Sequence, residues 1–217
     1  MRYLRRLGFA LATVLVLGMT VASVASAADP LFLFGTKTGF KASGGAATLS
    51  TLGNFFSLTC EKNTSEGNTG GKDTETFSGT ITFTGCSMTS LGAAGGTITY
   101  KFDGLLCWIN EAKLEVGEYI LASEDVHLEV PLIGLLTLIK GSADVVALTP
   151  VGFKTKTLTG KMETSGTGDQ KVTSCTDLGV TLKPSIKILQ NEAGEEKDGA
   201  IATSFTLTTE VEGTIDG

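Results

Sequence analysis

The residues best equipped for chemistry are four cysteines, Cys60, Cys86, Cys107 and Cys175, and a lone histidine, His127. A zinc centre draws on close Cys or His pairs, whereas the intervals here are 26, 21 and 68 residues with no Cys-x-x-Cys, so no zinc site is expected. His127 is the only side chain able to act as a neutral-pH base in a hydrolase triad. It lies in the alternating run Asp125-Val126-His127-Leu128-Glu129-Val130, which sets it on one strand face with Asp125 and Glu129. That pattern describes an exposed imidazole between two carboxylates, and three groups in a line along a strand form no tetrahedron for a metal. A glycoside-cleaving pair of carboxylates, about 5 to 9.5 Å apart, can come from anywhere in a chain. Beyond residue 27, however, only Trp108, Tyr100 and Tyr119 offer large amphipathic rings for stacking sugars, and Trp108 stands beside a cysteine where a core role is expected. No phosphate-binding loop, Gly-x-Ser-x-Gly elbow or calcium loop occurs, so no catalytic, cofactor-binding or metal-ligating residue and no cofactor is expected. Asn63-Thr64-Ser65 is formally a glycosylation acceptor.

An even number of cysteines in an exported chain means disulfides, and four of them admit three pairings. A strand running out from Cys86 and back to Cys107, with Asp103-Gly104 as its turn, favours Cys86–Cys107 and leaves Cys60–Cys175.

Export is written at the front. Met1 to Arg6 is basic, Leu7 to Val24 is apolar, and Ala25-Ser26-Ala27 supplies the small residues of a cleavage site, so residues 1–27 read as a secretory signal peptide. Residues 28–217 then form a single β domain without a membrane span, secreted or associated with the envelope. All three arginines lie in the leader, which leaves 14 lysines against 23 acidic residues. Such a balance excludes a nucleic-acid partner, since phosphate recognition needs clustered cations.

The elements that must position these residues are strands. Thirty threonines follow residue 27, interleaved with Val, Ile, Leu and Phe, and β-branched residues suit a pleated, half-exposed surface. Thr80 to Thr84, Thr97 to Tyr100 and Phe205 to Thr209 alternate strictly, with one face buried and the other wet. The echo of Gly79-Thr-Ile-Thr-Phe83 in Gly96-Thr-Ile-Thr-Tyr100 indicates adjacent strands. Leu132 to Ile139 reads as a central strand, and Glu111 to Ala122 is the one stretch with some helical character, interrupted by Gly117. Gly44-Gly45, Asn63 to Asp73, Ser90 to Gly96, Ser165 to Asp169 and Asn191 to Gly199 read as turns and loops. The expected architecture is all-β, a disulfide-stapled sandwich or closed barrel of about ten to twelve mostly antiparallel strands. A lipid-embedded barrel is disfavoured by the Thr- and Lys-rich outward positions and the lack of aromatic girdles.

Phe56-Ser-Leu58-Thr-Cys60, then Thr82-Phe83-Thr-Gly85-Cys86, then Cys107 and Cys175 resembles a group of secreted, β-rich actinobacterial proteins that carry an LxC, FxGC, C, C order. The acidic segment Asn110 to Glu129 departs from that pattern. The resemblance implies a secreted β fold and brings no catalytic or binding residues with it. The expected function is a non-enzymatic extracellular domain, an envelope, matrix or binding component with a protein or glycan partner. A pilin- or adhesin-like subunit, with Ala28 to Phe40 as donor strand, and a secreted hydrolase using carboxylates are the alternatives.

Overall fold

A computed structural model describes residues 29–51, 57–88, 93–130, 134–138, 140–164, 169–190 and 196–216. The signal peptide expected over 1–27 lies outside the described residues, as do parts of the loops expected over 90–96, 165–169 and 191–199. The chain is all-β with two disulfides, and its described residues form sixteen strands rather than ten to twelve. In order they are β1 (Leu31–Leu33), β2 (Gly39–Gly44), β3 (Ala47–Thr51), β4 (Ser57–Cys60), β5 (Lys62–Thr69), β6 (Thr76–Met88), β7 (Ala93–Asn110), β8 (Glu115–Ala122), β9 (Val126–Val130) and β10 (Gly134–Leu138). They continue as β11 (Ala143–Thr149), β12 (Thr155–Met162), β13 (Cys175–Asp177), β14 (Val180–Leu182), β15 (Ile186–Gln190) and β16 (Glu196–Asp216). The segment with helical character holds one 3-10 turn, Glu111–Lys113, ahead of β8. Among the described residues no helix is long and apolar enough to cross a membrane.

Eight strands close on themselves. Following the pairings from β7 through β8, β11, β12, β16, β2, β5 and β6 returns to β7, and every step is antiparallel. A second path, β9-β10-β15-β16-β3-β4-β6, shares β16 and β6 with the ring. Its β10 has a neighbour on each side within the sheet; residues 132, 133 and 139 of the stretch expected as a central strand lie outside the described residues. The sharing depends on length: β16 pairs with β15 and β3 through its first residues and with β12, β2 and β1 further on. On β6 the changeover falls at Gly85, whose φ of 64° coincides with a register shift between Thr84 and Cys86. A glycine tolerates that left-handed conformation without a Cβ clash, and the bulge turns the strand end toward β4.

The ring interior is built from phenylalanines facing glycines. Phe40, Gly67, Gly79 and Phe102 form one cross-strand row, Phe77 faces Gly104, and Phe205 faces Gly160. A Cβ on Gly67 would lie 2.5 Å from Phe40 Cζ, and one on Gly160 2.3 Å from Phe205 Cζ, so each ring occupies the space its partner lacks. Phe77 is the hub, with ring centroids 5.9 Å from Phe32, 6.2 Å from Phe40 and 5.9 Å from Phe102, each pair edge to face. Outward positions on β2, β5, β6 and β16 are Lys41, Ser43, Thr64, Glu66, Thr84, Thr206 and Thr208, opposite to the apolar band of a lipid-embedded barrel.

The stretch expected as a loop over Asn63 to Asp73 begins instead inside β5, a strand made of Lys-Asn-Thr-Ser-Glu-Gly-Asn-Thr. Its polarity conceals it, because the inward positions Asn63 and Thr69 are buried through hydrogen bonds rather than apolar contact. Asn63 Nδ2 donates to Thr203 Oγ1 at 2.8 Å and to Gly45 O at 2.9 Å, and Thr69 Oγ1 accepts from Thr38 N at 3.0 Å. Asn63 therefore points into the ring, away from any glycosylating enzyme.

Candidate functional site: a hydroxyl-lined outer face

Threonine alternation and register together write rows of hydroxyls across the outside of the ring. Thr149, Thr159, Thr206, Ser43, Thr64, Thr82 and Thr99 are successive cross-strand partners on β11, β12, β16, β2, β5, β6 and β7. The next row holds Thr157, Thr208, Lys41, Glu66, Thr80 and Lys101. Strand spacing sets a repeat of about 4.8 Å along each row, and alternation sets about 7 Å between rows. Thr82 Oγ1 and Thr99 Oγ1 lie 3.1 Å apart, in hydrogen-bond contact.

This face is indented by shallow, open depressions. Two adjoining depressions of about 820 and 540 Å³ share Lys41, Glu66, Thr80 and Thr208 in their linings. Gly67 and Gly79 lie in the first, where absent inner side chains let the strands bend and the Phe40 and Phe102 rings fold beneath them. Charges on the face are mixed rather than of one sign. Lys101 Nζ lies 3.5 Å from Glu124, Asp103 accepts from Ser123 Oγ at 2.7 Å, and Glu210 accepts from Gly39 N at 3.3 Å. Such exposed contacts add little stability and no net field.

The residues singled out in the sequence fall elsewhere. His127 is exposed on β9, with Nδ1 2.9 Å from Thr137 Oγ1, and Asp125 accepts from Lys140 N at 2.7 Å. The Glu129 side chain is outside the described residues. Trp108 is buried in the main core.

The expected cysteine pairing is corrected: the disulfides are Cys60–Cys86 and Cys107–Cys175. Asp103 and Gly104 are not a turn but the middle of β7, which runs unbroken from Ala93 to Asn110. Gly96 faces Cys86, so β7 carries Cys107 eleven residues, about 36 Å, away. Cys60 meets Cys86 because Thr59 and Ser87 pair between β4 and β6. Cys107 and Cys175 form a small outer core with Val145, flanked by Tyr119, Val172 and Leu182. Chain-entropy loss on closing these 26- and 68-residue intervals corresponds to about 3.5 and 4.4 kcal/mol.

Three acidic features carry chemistry that sequence reading passed over. Glu118 and Asp144 are both buried within the ring, and burial raises each carboxyl to about 8. Asp144 is the better supported, accepting from Val145 N at 2.7 Å and Gln170 Nε2 at 2.8 Å. Parity betrays Glu118, since it is in phase with buried Val116 and Ile120. At one end of the ring, Asp29, Glu75 and Asp177 bring carboxylate oxygens within 4.8 Å of one another, a donor set suited to a hard cation. Partial burial, followed by repulsion from Asp177 and Asp29 for Glu75 and from Asp29 for Asp177, holds both carboxyls above the usual carboxylate range. Asp29 is also engaged, accepting from Leu178 N at 2.9 Å.

No protein-family model, curated protein or solved structure matches the chain.

Proposed function

We propose that this chain is an exported, non-enzymatic binding component of an envelope or extracellular matrix, and that the partner of its outer face is an uncharged glycan. The observation that carries this reading is the hydroxyl row from Thr206 through Ser43, Thr64 and Thr82 to Thr99, the first four of which line an open depression on the outer face. Each hydroxyl both donates and accepts, as sugar hydroxyls do. Threonine χ1 is already restricted by β-branching, so ordering these side chains on a ligand costs little entropy. Mixed charge on the neighbouring row favours an uncharged polymer over an ionic one. Exposed stacking rings are missing from the rows, so each sugar is held weakly and affinity grows with the number of rows engaged.

Export is supported by the two disulfides, which persist in oxidising compartments, and by the leader pattern of residues 1–27. The pilin-like alternative is weakened because its candidate donor strand is already paired: Leu31–Leu33 lies against Thr214–Asp216, with Phe32 buried. The hydrolase alternative is weakened because Glu118 and Asp144 are enclosed by the ring, out of reach of a polymer.

The test is co-sedimentation with cellulose and with chitin, comparing the native chain with a Thr64→Val, Thr82→Val double variant. Valine keeps the shape and strand preference while removing two hydroxyls, each worth about 0.5 to 1.5 kcal/mol in a net hydrogen bond. Retention of the native chain on at least one polymer and a loss of about tenfold in the variant are expected. Equal retention of both proteins, or none of the native chain on either polymer, would overturn the reading.

A further inference from the structure

The ring encloses an acidic group that nothing neutralises. Glu118 sits on β8 between Leu106 of β7 and Val146 of β11, is 2% exposed, and has no hydrogen-bond partner at Oε1. It lines a cavity of about 20 Å³ together with Asn63, Ser65, Met162 and Thr203, beneath the rings of Phe77 and Phe102. That volume is room for about one water. The amide of Asn63 is committed to Thr203 and Gly45, so it does not serve the carboxyl.

We infer that Glu118 is a proton-binding site that gates the ring, which closes tightly around the neutral acid and loosens when the carboxyl ionises. The surroundings leave no other way to accommodate a charge. The elements packed around the site are β2, β5, β6, β7, β8, β11, β12 and β16, and their titratable groups facing the interior, among the described residues, are Asp144 and Tyr100. Neither supplies positive charge at neutral pH, and no lysine is buried among the described residues. Lys41, Lys62, Lys101 and Lys161 all stand on the exposed outer side. An ionised Glu118 must therefore draw water into a cavity that holds about one molecule, or part the strands that cover it.

The sign of the effect follows from which state binds the proton more strongly. Burial raises the folded carboxyl from 4.5 to about 8, so the folded chain binds more protons throughout that window. Stability is complete below the unfolded value, falls as pH rises, and levels off above the folded value. Between pH 5 and pH 9 the folding equilibrium constant should fall by on the order of a hundred- to a thousand-fold through this group alone.

Two measurements test the inference. Carboxyl carbon NMR of the native chain should show Glu118 titrating near pH 8, and a midpoint near 4.5 would overturn the inference without any variant being made. Urea unfolding at pH 5 and pH 9 should show a large alkaline loss in the native chain and a much smaller one in Glu118→Gln, with Glu118→Met as the apolar substitute should the amide fail to fold. Parallel losses in native and substituted chains would overturn it as well, and would assign the alkaline sensitivity to Asp144.

Discussion

Replacing Gly104 by Ala probes the pairing of phenylalanines with glycines that fills the ring. The new Cβ would lie 2.3 Å from Cζ of Phe77, 2.6 Å from Cε2 and 2.8 Å from Cε1, where van der Waals contact begins near 3.4 Å. The ring must retreat by about 1 Å, yet it is held on other sides by Phe32, Phe40 and Phe102. Overpacking of this kind costs about 1 to 3 kcal/mol, and disturbance of the edge-to-face contacts adds about 0.5 to 1.5 kcal/mol for each pair lost. Against that stands the backbone gain of alanine over glycine in a strand, about 0.5 to 1 kcal/mol. The net expectation is a loss of about 2 kcal/mol, read from urea unfolding of the oxidised chain. The same change made in a Phe77→Leu background should cost under about 0.5 kcal/mol, because the far ring atoms are gone, giving a coupling of at least 1.5 kcal/mol or so. Equal costs in the two backgrounds would refute the claim that the Phe77 ring fills the space above Gly104.

On β6, Phe83→Ala should cost about 3 to 5 kcal/mol, since Phe83 is buried and stacked on Tyr100 at 6.2 Å, whereas Thr82→Ala, on the outer face, should cost far less; denaturant curves showing the reverse order would mean that the strand is turned over. Non-reducing peptide mapping should recover Cys60 linked to Cys86 and Cys107 linked to Cys175, and a Cys86–Cys107 peptide would contradict the course of β7. His127→Ala should change the unfolding free energy by no more than about ±0.5 kcal/mol, the range of a surface substitution, and leave polysaccharide retention unchanged; tenfold weaker retention would move the binding site to β9.

Alternation made the β class and several strands legible. Ile81 and Phe83 face inward, Thr82 and Thr84 do not, and the echo of Gly79 to Phe83 in Gly96 to Tyr100 marks strands that do pair, Ile81 opposite Tyr100. What stayed hidden involved polar residues doing core work and glycines that are not turns. β5 reads as a loop because Asn63 and Thr69 satisfy their polar groups inside the ring, which no periodicity of apolar residues can announce. Gly104 reads as a turn beside Asp103, but across the sheet it is the space for Phe77, a fact that depends on a partner 27 residues away. That one misreading reversed the disulfides. The outer hydroxyl rows were visible only as a surplus of threonine, because their alignment is a property of register between strands far apart in the chain, such as Ser43 with Thr206.

The most direct test of the binding face is amide NMR of the uniformly labelled chain during titration with a soluble oligosaccharide of whichever polymer retains it. Shifts should concentrate at Ser43, Thr64, Thr82, Thr99 and Thr206, on five neighbouring strands of one face. Shifts centred instead on the β13–β14 hairpin, where Leu178 and Val180 are exposed, or spread evenly over the molecule, would contradict that placement.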